Sequence, residues 1–204
     1  MIVNSCESTP YGIATDVARQ DRFWIKSQPY SLLDLLAHDE SVDQFVGGTV
    51  YQAFLSATNY HRWHSPVDGT IVRAFVQDGT YYSEADSEGA DAVEPTNSQA
   101  YMAHTAARAI ILIEADNPVI GLLAFVPVGM SEVSTCVIHP SITSGHRVAK
   151  GEELGYFQFG GSTHCLVFRA GVIADFALAA IPQPHDPNAP LMLVNSKLAA
   201  AKRP

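Results

Sequence analysis

Lys150-Gly151-Glu152-Glu153-Leu154-Gly155-Tyr156-Phe157-Gln158-Phe159-Gly160-Gly161-Ser162-Thr163 is the stretch on which the fold turns. From His146 to Phe159 the chain is punctuated by glycines and alternates, the pattern of a strand, a turn and a second strand in a sandwich. It ends in Gly-Gly-Ser. Glycines at the end of a strand allow a sharp bend and close approach of another group. Such a backbone lets the Ser162 hydroxyl reach the carbonyl of the residue before it. A plain turn serine is the other reading of the same residues.

Working outward, Thr49–Leu55, Thr70–Val76, Ala109–Glu114, Val119–Pro127, Val133–Ile138 and Leu166–Phe168 read as strands, and Phe23–Lys26 as a short one. Ser31–His38 reads as a short helix with Ser31 as N-cap and Asp34 three residues on. Ser83–Asn97 is acidic and aperiodic, a surface loop and candidate lid. Pro182–Pro190 is proline-rich and expected to be extended. These elements predict an α+β fold. Mostly antiparallel strands form a sandwich or barrel-like core with a few short helices, in one domain over residues 1–204.

Composition narrows the function classes. With 47% apolar and 16% charged residues among 204, a substantial core is expected. The net charge of −9 argues against nucleic acid or an anionic membrane as partner. Cys6, Cys136 and Cys165 show no C-x-x-C spacing and read as free thiols of a reducing compartment. Met1–Glu7 lacks the basic start and apolar run of a signal peptide, so a cytoplasmic location is expected. Ala109–Gly129, the most apolar stretch, is interrupted by Glu114, Asp116, Asn117 and Pro118. It reads as two buried strands and a turn rather than a membrane helix.

The second motif is Tyr60-His61-Arg62-Trp63-His64-Ser65-Pro66-Val67-Asp68-Gly69. On a helix His61 and His64 share a face; on a strand they point apart. The run before them looks extended, which predicts separate jobs. Buried, hydrogen-bonded imidazoles are one alternative. A zinc pair is another, disfavoured because no H-E-x-x-H or cysteine set accompanies it, so no metal is expected. Asp68 reads as a turn residue. Trp63 and Phe159 flank the motifs and either bound a substrate pocket or pack in the core. His164 is a candidate substrate contact or a strand-end histidine, and Cys165 a packed thiol. Sequence alone does not place His139 and His146.

Together, the two motifs resemble the phosphatidylserine decarboxylase family, in particular its fungal soluble, tryptophan-decarboxylase-like branch. The likeness runs from about Val3 to about Phe176. The resemblance implies that Gly161-Ser162 is the processing bond. Ser162 attacks the Gly161 carbonyl, an ester forms, and elimination and hydrolysis leave a pyruvoyl group derived from Ser162 as the cofactor. That carbonyl forms an imine with the substrate amine and takes up the electrons released with carbon dioxide.

By the same resemblance His64 is the base that activates Ser162, and His61 serves the decarboxylation step or holds the substrate. The family carries Asp-Gly upstream of the histidines, and here Glu7-Ser8 stands in its place. Glu7 would fix the His64 tautomer, in the manner of a nucleophile–base–orienter triad. Family members carry more protein before this motif, so a fragment or a trimmed relative is expected. The implied activity is a pyruvoyl-dependent decarboxylase, a carboxy-lyase acting on a small amino acid, aromatic ones included, with a homodimer allowed. Two readings stand beside it. One is an unprocessed relative using the histidines and Glu7 for elimination or cyclisation of a natural-product intermediate. The other is a non-catalytic partner of a full-length paralogue.

Overall fold

A computed structural model describes residues 1–20, 30–80, 99–130, 135–158, 161–183 and 189–203. The expected strand at Phe23–Lys26, the loop Ser83–Asn97 and Phe159 lie outside the described residues. So do residues 131–134, which include the start of the strand expected from Val133, and residues 184–188 of the proline-rich tail.

The centre is a seven-stranded antiparallel sheet. Its members are β2 (Thr9–Val17), β3 (Gly48–Leu55), β5 (Gly69–Gln77), β6 (Arg108–Ala115), β7 (Leu122–Gly129), β9 (Arg147–Val148) and β11 (Ser162–Phe168), ordered β2-β3-β11-β7-β6-β5-β9. β7 is buried at every position, which is why its sequence is apolar without alternation. Two three-stranded sheets complete the β structure. One is β1 (Ile2–Val3), β13 (Lys197–Ala201) and β12 (Ile173–Phe176), ordered β1-β13-β12. The other is β4 (Arg62–His64), β10 (Glu153–Gln158) and β8 (Thr135–Ile138), ordered β4-β10-β8. Strands dominate and the large sheet does not close on itself, so the sandwich expectation holds and the barrel does not.

The sheet has two apolar faces. Alternation along β11 sends Leu166 and Phe168 to one face, with Trp63, Phe125, Phe157 and Ile2. It sends Cys165 and Val167 to the other, under α1 (Leu32–Leu35) and α2 (Gln99–Thr105). α1 is shorter than the expected Ser31–His38 because Ala37 and His38 take left-handed backbone angles (φ 52° and 60°) that end it. Ser31 precedes it, but its hydroxyl donates to the Asp34 carboxylate instead of capping the backbone. The Ser31 N–H is taken by His104 Nε2 at 3.1 Å, and Arg108 Nε donates to the Leu35 carbonyl at 3.0 Å.

Gly155 on β10 fixes how the small motif sheet packs. A Cβ there would stand 2.2 Å from the Val137 carbonyl oxygen and 2.8 Å from the Trp63 ring. Backbone in a paired strand does not give way. Gly155→Ala should therefore cost about 2–3 kcal/mol and lower the melting temperature by roughly 5–10 °C in calorimetry. An unchanged melting temperature would show that the β8–β10 pairing yields freely.

Candidate active site

The N-terminal segment is threaded between the histidine motif and the C-terminal tail. On one side Val3 N donates to Pro66 O at 3.1 Å and His64 N to Ser5 O at 2.9 Å. On the other, Asn4 N donates to Ser196 O, Asn195 N to Asn4 O, and Ser8 and Met192 exchange both backbone bonds. Asn4, Ser5 and Ser8 are thereby fully buried.

Glu7 meets the turn before β4. Its Oε1 accepts from Tyr60 N at 3.1 Å and from Asn59 Nδ2 at 3.4 Å. The Tyr60 ring stacks on His64, with 5.8 Å between centroids, and its hydroxyl lies 3.1 Å from His64 Nε2. His64 Nδ1 lies 2.8 Å from the Gly151 carbonyl. A carbonyl only accepts, so the His64 proton sits on Nδ1 and the Tyr60 hydroxyl donates to Nε2. Gly151 presents that carbonyl from a left-handed turn (φ +85°), a conformation suited to glycine. The expected Glu7–His64 hydrogen bond is not made. Backbone bonds on both sides of residues 4–8 bring the carboxylate level with Asn59 and Tyr60, and Tyr60 stands between the two groups.

Ser162 is the first residue of β11. It pairs with Leu55 of β3 and with Gly129 of β7. It is fully buried and its hydroxyl has no hydrogen-bond partner. Leaving such a group unpaired costs about 1–3 kcal/mol. Gly129 opposite carries no side chain. Thr163 turns to the other face, where its hydroxyl donates to Ala53 O at 2.9 Å and accepts from Gln52 Nε2 at 3.1 Å. Gln52 accepts in turn from the Tyr30 hydroxyl. The residue after Ser162 is thus pinned from behind.

His164 shares the Ser162 face. It is fully buried against Phe125 and Tyr51, and Nε2 lies 3.1 Å from Ser8 Oγ. Burial pushes its imidazole down to about 3, so it is neutral. Cys165 faces the helices, its thiol pushed up by burial.

The remaining candidates lie apart. Trp63 is core, edge-on to Phe125 and Phe157. His61 is half-buried, its carbonyl accepting from Phe157 N at 3.0 Å and its ring edge-on to Phe157. His139 bonds Glu153 Oε1 at 2.7 Å, and His146 bonds Glu152 Oε1 at 3.0 Å. Burial raises the Glu153 carboxyl, but the bonds from His139 and Arg62 outweigh it and hold it below the ordinary range. Asp68 accepts from Lys150 N in a turn. Among the described residues no three metal-ligating side chains converge. No described helix is long and apolar enough to cross a membrane.

Tyr60 and Gly151 carry the hydrogen bonding at His64, and Ser8 carries it at His164. Tyr60 and Gly151 lie inside the two motifs, but nothing in the sequence gives them tasks. The only signal for Ser8 is its place in Glu7-Ser8.

The model of the phosphatidylserine decarboxylase family matches residues 1–182. Decarboxylase iboD of Amanita muscaria (strain Koide BX008) is 48% identical over 180 residues, 82% of this chain and 51% of the relative. An L-tryptophan decarboxylase of Psilocybe cubensis is 41% identical over 177 residues, 83% of this chain and 40% of the relative. A phosphatidylserine decarboxylase proenzyme of Bacillus thuringiensis (strain Al Hakam) is 32% identical over 152 residues, 74% and 52% of the two chains. The chain thus spans about half the length, or less, of these curated relatives. A match over nearly the whole chain, with the Gly161-Ser162 junction at the head of a buried strand, means that the chain belongs to the phosphatidylserine decarboxylase family.

Proposed function

We propose that this chain is the catalytic domain of a pyruvoyl-dependent decarboxylase of a small amino acid, aromatic ones included, cleaved by its own chemistry between Gly161 and Ser162. The observation that carries this is the Ser162 hydroxyl, wholly buried and unpartnered, directly after a glycine and opposite Gly129. A buried hydroxyl without a partner is costly, and a nucleophile for the neighbouring carbonyl gives it a use. The pyruvoyl carbonyl supplies the electron sink for loss of carbon dioxide.

This chain's own residues do the rest. Thr163 and Gln52 hold the strand still behind the bond to be broken. The Trp63–Phe125–Phe157 cluster keeps bulk water from that face. His64, Tyr60 and His61 are assigned to handling protons and substrate at the motif strand, with Glu7 holding Tyr60 by its backbone. The Psilocybe relative is named for an amino acid, which favours an amino acid over a lipid as substrate.

Intact mass under denaturing conditions tests the proposal. Two species are expected, residues 1–161 and a carbonyl-bearing 162–204. One full-length species from active protein would refute it.

One observation favours the unprocessed reading. Both His64 ring nitrogens are engaged, by Gly151 and Tyr60, and Glu7 is not bonded to His64. An acid–base site on His64 and Tyr60 would need no cleavage at Ser162.

A further inference from the structure

The tail at 189–203 lies past the residues that the family model matches, and it touches the supports of His64 from two sides. Asn195 makes both contacts. Its N–H donates to the Asn4 carbonyl at 2.9 Å, and Ser5, next along, accepts from His64 N at 2.9 Å. Its side-chain amide covers Gly151, whose carbonyl oxygen lies 2.8 Å from His64 Nδ1. A Cβ on Gly151 would stand 3.2 Å from Asn195 Nδ2, 3.2 Å from Oδ1 and 3.4 Å from Cγ. Near-equal distances to the three atoms mean that the amide lies face-on, in the space a side chain would take. Gly151 is thus required twice, by its φ of +85° and by the amide above it.

Turn chemistry explains part of this arrangement. Ser196 N donates to the Leu193 carbonyl at 3.2 Å, and Asn195, third in that turn, has a φ of 63°. Asparagine and glycine both suit that conformation. Glycine would serve the turn as well, but it would leave Gly151 uncovered. Along the motif strand the Gly151 turn is held by its own neighbours: Gly151 N donates to Ser65 O and Ser65 N to Glu152 O, both at 2.8 Å. The Asn195 amide bears on the same turn from the tail. Asn195 is exposed, so its side chain can be replaced without opening the core.

We propose that Asn195 is a positioning residue for His64: its amide, packed on Gly151, holds the Gly151 carbonyl in line with His64 Nδ1–H and so keeps the imidazole in the orientation that leaves Nε2 to Tyr60 and to proton transfer. Which ring nitrogen carries the proton is set by the hydrogen bond the ring makes, and that bond weakens steeply with misalignment. The inference rests on the reading of His64 as a proton-handling group given above. On self-cleavage Asn195 falls in 162–204 and Gly151 in 1–161. The contact therefore also ties the carbonyl-bearing fragment to the support of the motif histidine.

The test has three readouts on the full-length chain, with melting temperature as the folding control. The first is the rate of cleavage of freshly refolded protein by intact mass. Asn195→Gly keeps the turn and removes only the amide, and should slow cleavage by about 3–10-fold, the scale of a small misplacement of a reacting group. Asn195→Asp keeps a planar group of the same shape and should restore the rate. The second readout is the His64 Nδ1–H signal in nitrogen-15 NMR, recorded in a Ser162→Ala background so that every chain is whole. It should be sharp with Asn195 and broadened by solvent exchange with Asn195→Gly, a change that a turn residue without a positioning role would not cause.

The third is a double-mutant cycle. Gly151→Ala should lower the melting temperature less in Asn195→Gly than in wild type, because the clash with the amide is gone and only the strain of the positive φ remains. A wild-type cleavage rate or an unchanged Nδ1–H signal in folded Asn195→Gly would overturn the proposal, and so would equal losses in the cycle. If Asn195→Gly fails to fold, Asn195→Ser, which also lacks the amide, decides by the first two readouts. A wild-type chain that never cleaves removes the self-cleavage reading itself and leaves the Nδ1–H signal and the cycle to decide this one.

Discussion

Ser162→Ala is expected to leave a single full-length chain and to abolish decarboxylation, the largest effect any one substitution should have here. The change removes one oxygen from a buried position where that oxygen has no hydrogen bond to lose. Stability should hold or rise slightly, since an unpaired buried hydroxyl costs about 1–3 kcal/mol and an alanine methyl costs nothing of that kind. On the pyruvoyl reading proposed above, loss of the hydroxyl removes both the nucleophile for the Gly161 carbonyl and the carbonyl that would take up electrons. Turnover should drop by the bulk of the enzymatic acceleration, about 10⁶-fold or more, to background. The melting temperature separates this from misfolding. A folded, uncleaved variant that still releases carbon dioxide would move the chemistry away from Ser162 altogether.

Much of the central sheet is legible in the sequence because burial writes itself into composition. β6 and β7 are buried almost throughout, so Arg108–Ala115 and Leu122–Gly129 read as apolar runs split by a polar turn. β3, β5 and β10 carry enough alternation to be found. β2 is not legible. It is a largely half-exposed edge strand containing Pro10 and Gly12, with register breaks at Pro10/Gly12 and Thr15/Val17, so neither period nor propensity marks it. β12 and β13 escape for a related reason, being short, mixed and rich in alanine.

The candidate site divides along the same line. Ser162 and the two motif histidines stand out as local patterns. Their partners do not, because contacts between residues distant in sequence create them. Ser8 reaches His164 because the tail at Met192–Ser196 and the motif strand at His64–Pro66 grip residues 3–8 from either side. Glu7 and His64 fit a pairing by residue type. The fold puts Tyr60 between them, and no spacing rule forecasts a stacked ring there.

That Tyr60–His64 pair gives the second large effect. On the self-cleavage reading His64 is the base at the motif strand, and its loss should be felt first in processing. His64→Ala should convert to residues 1–161 and 162–204 about 10²–10⁴-fold more slowly than wild type, the usual loss when a proton-handling imidazole is removed. Tyr60→Phe keeps the ring on His64 but removes the hydroxyl that donates to Nε2, and should show a smaller loss of the same kind. Cyanoborohydride supplies an independent readout. With an amino-acid substrate present, reduction should leave a covalent adduct on 162–204 in wild type, because the cleaved chain carries the carbonyl. It should leave none in Ser162→Ala. An unprocessed acid–base enzyme predicts the opposite pattern. Its activity would ignore the reductant and survive Ser162→Ala, while His64→Ala would still abolish it. Observing that pattern would move the whole function to the Tyr60–His64–Gly151 side of the molecule and leave Ser162 as a buried residue of β11 with no part in the chemistry.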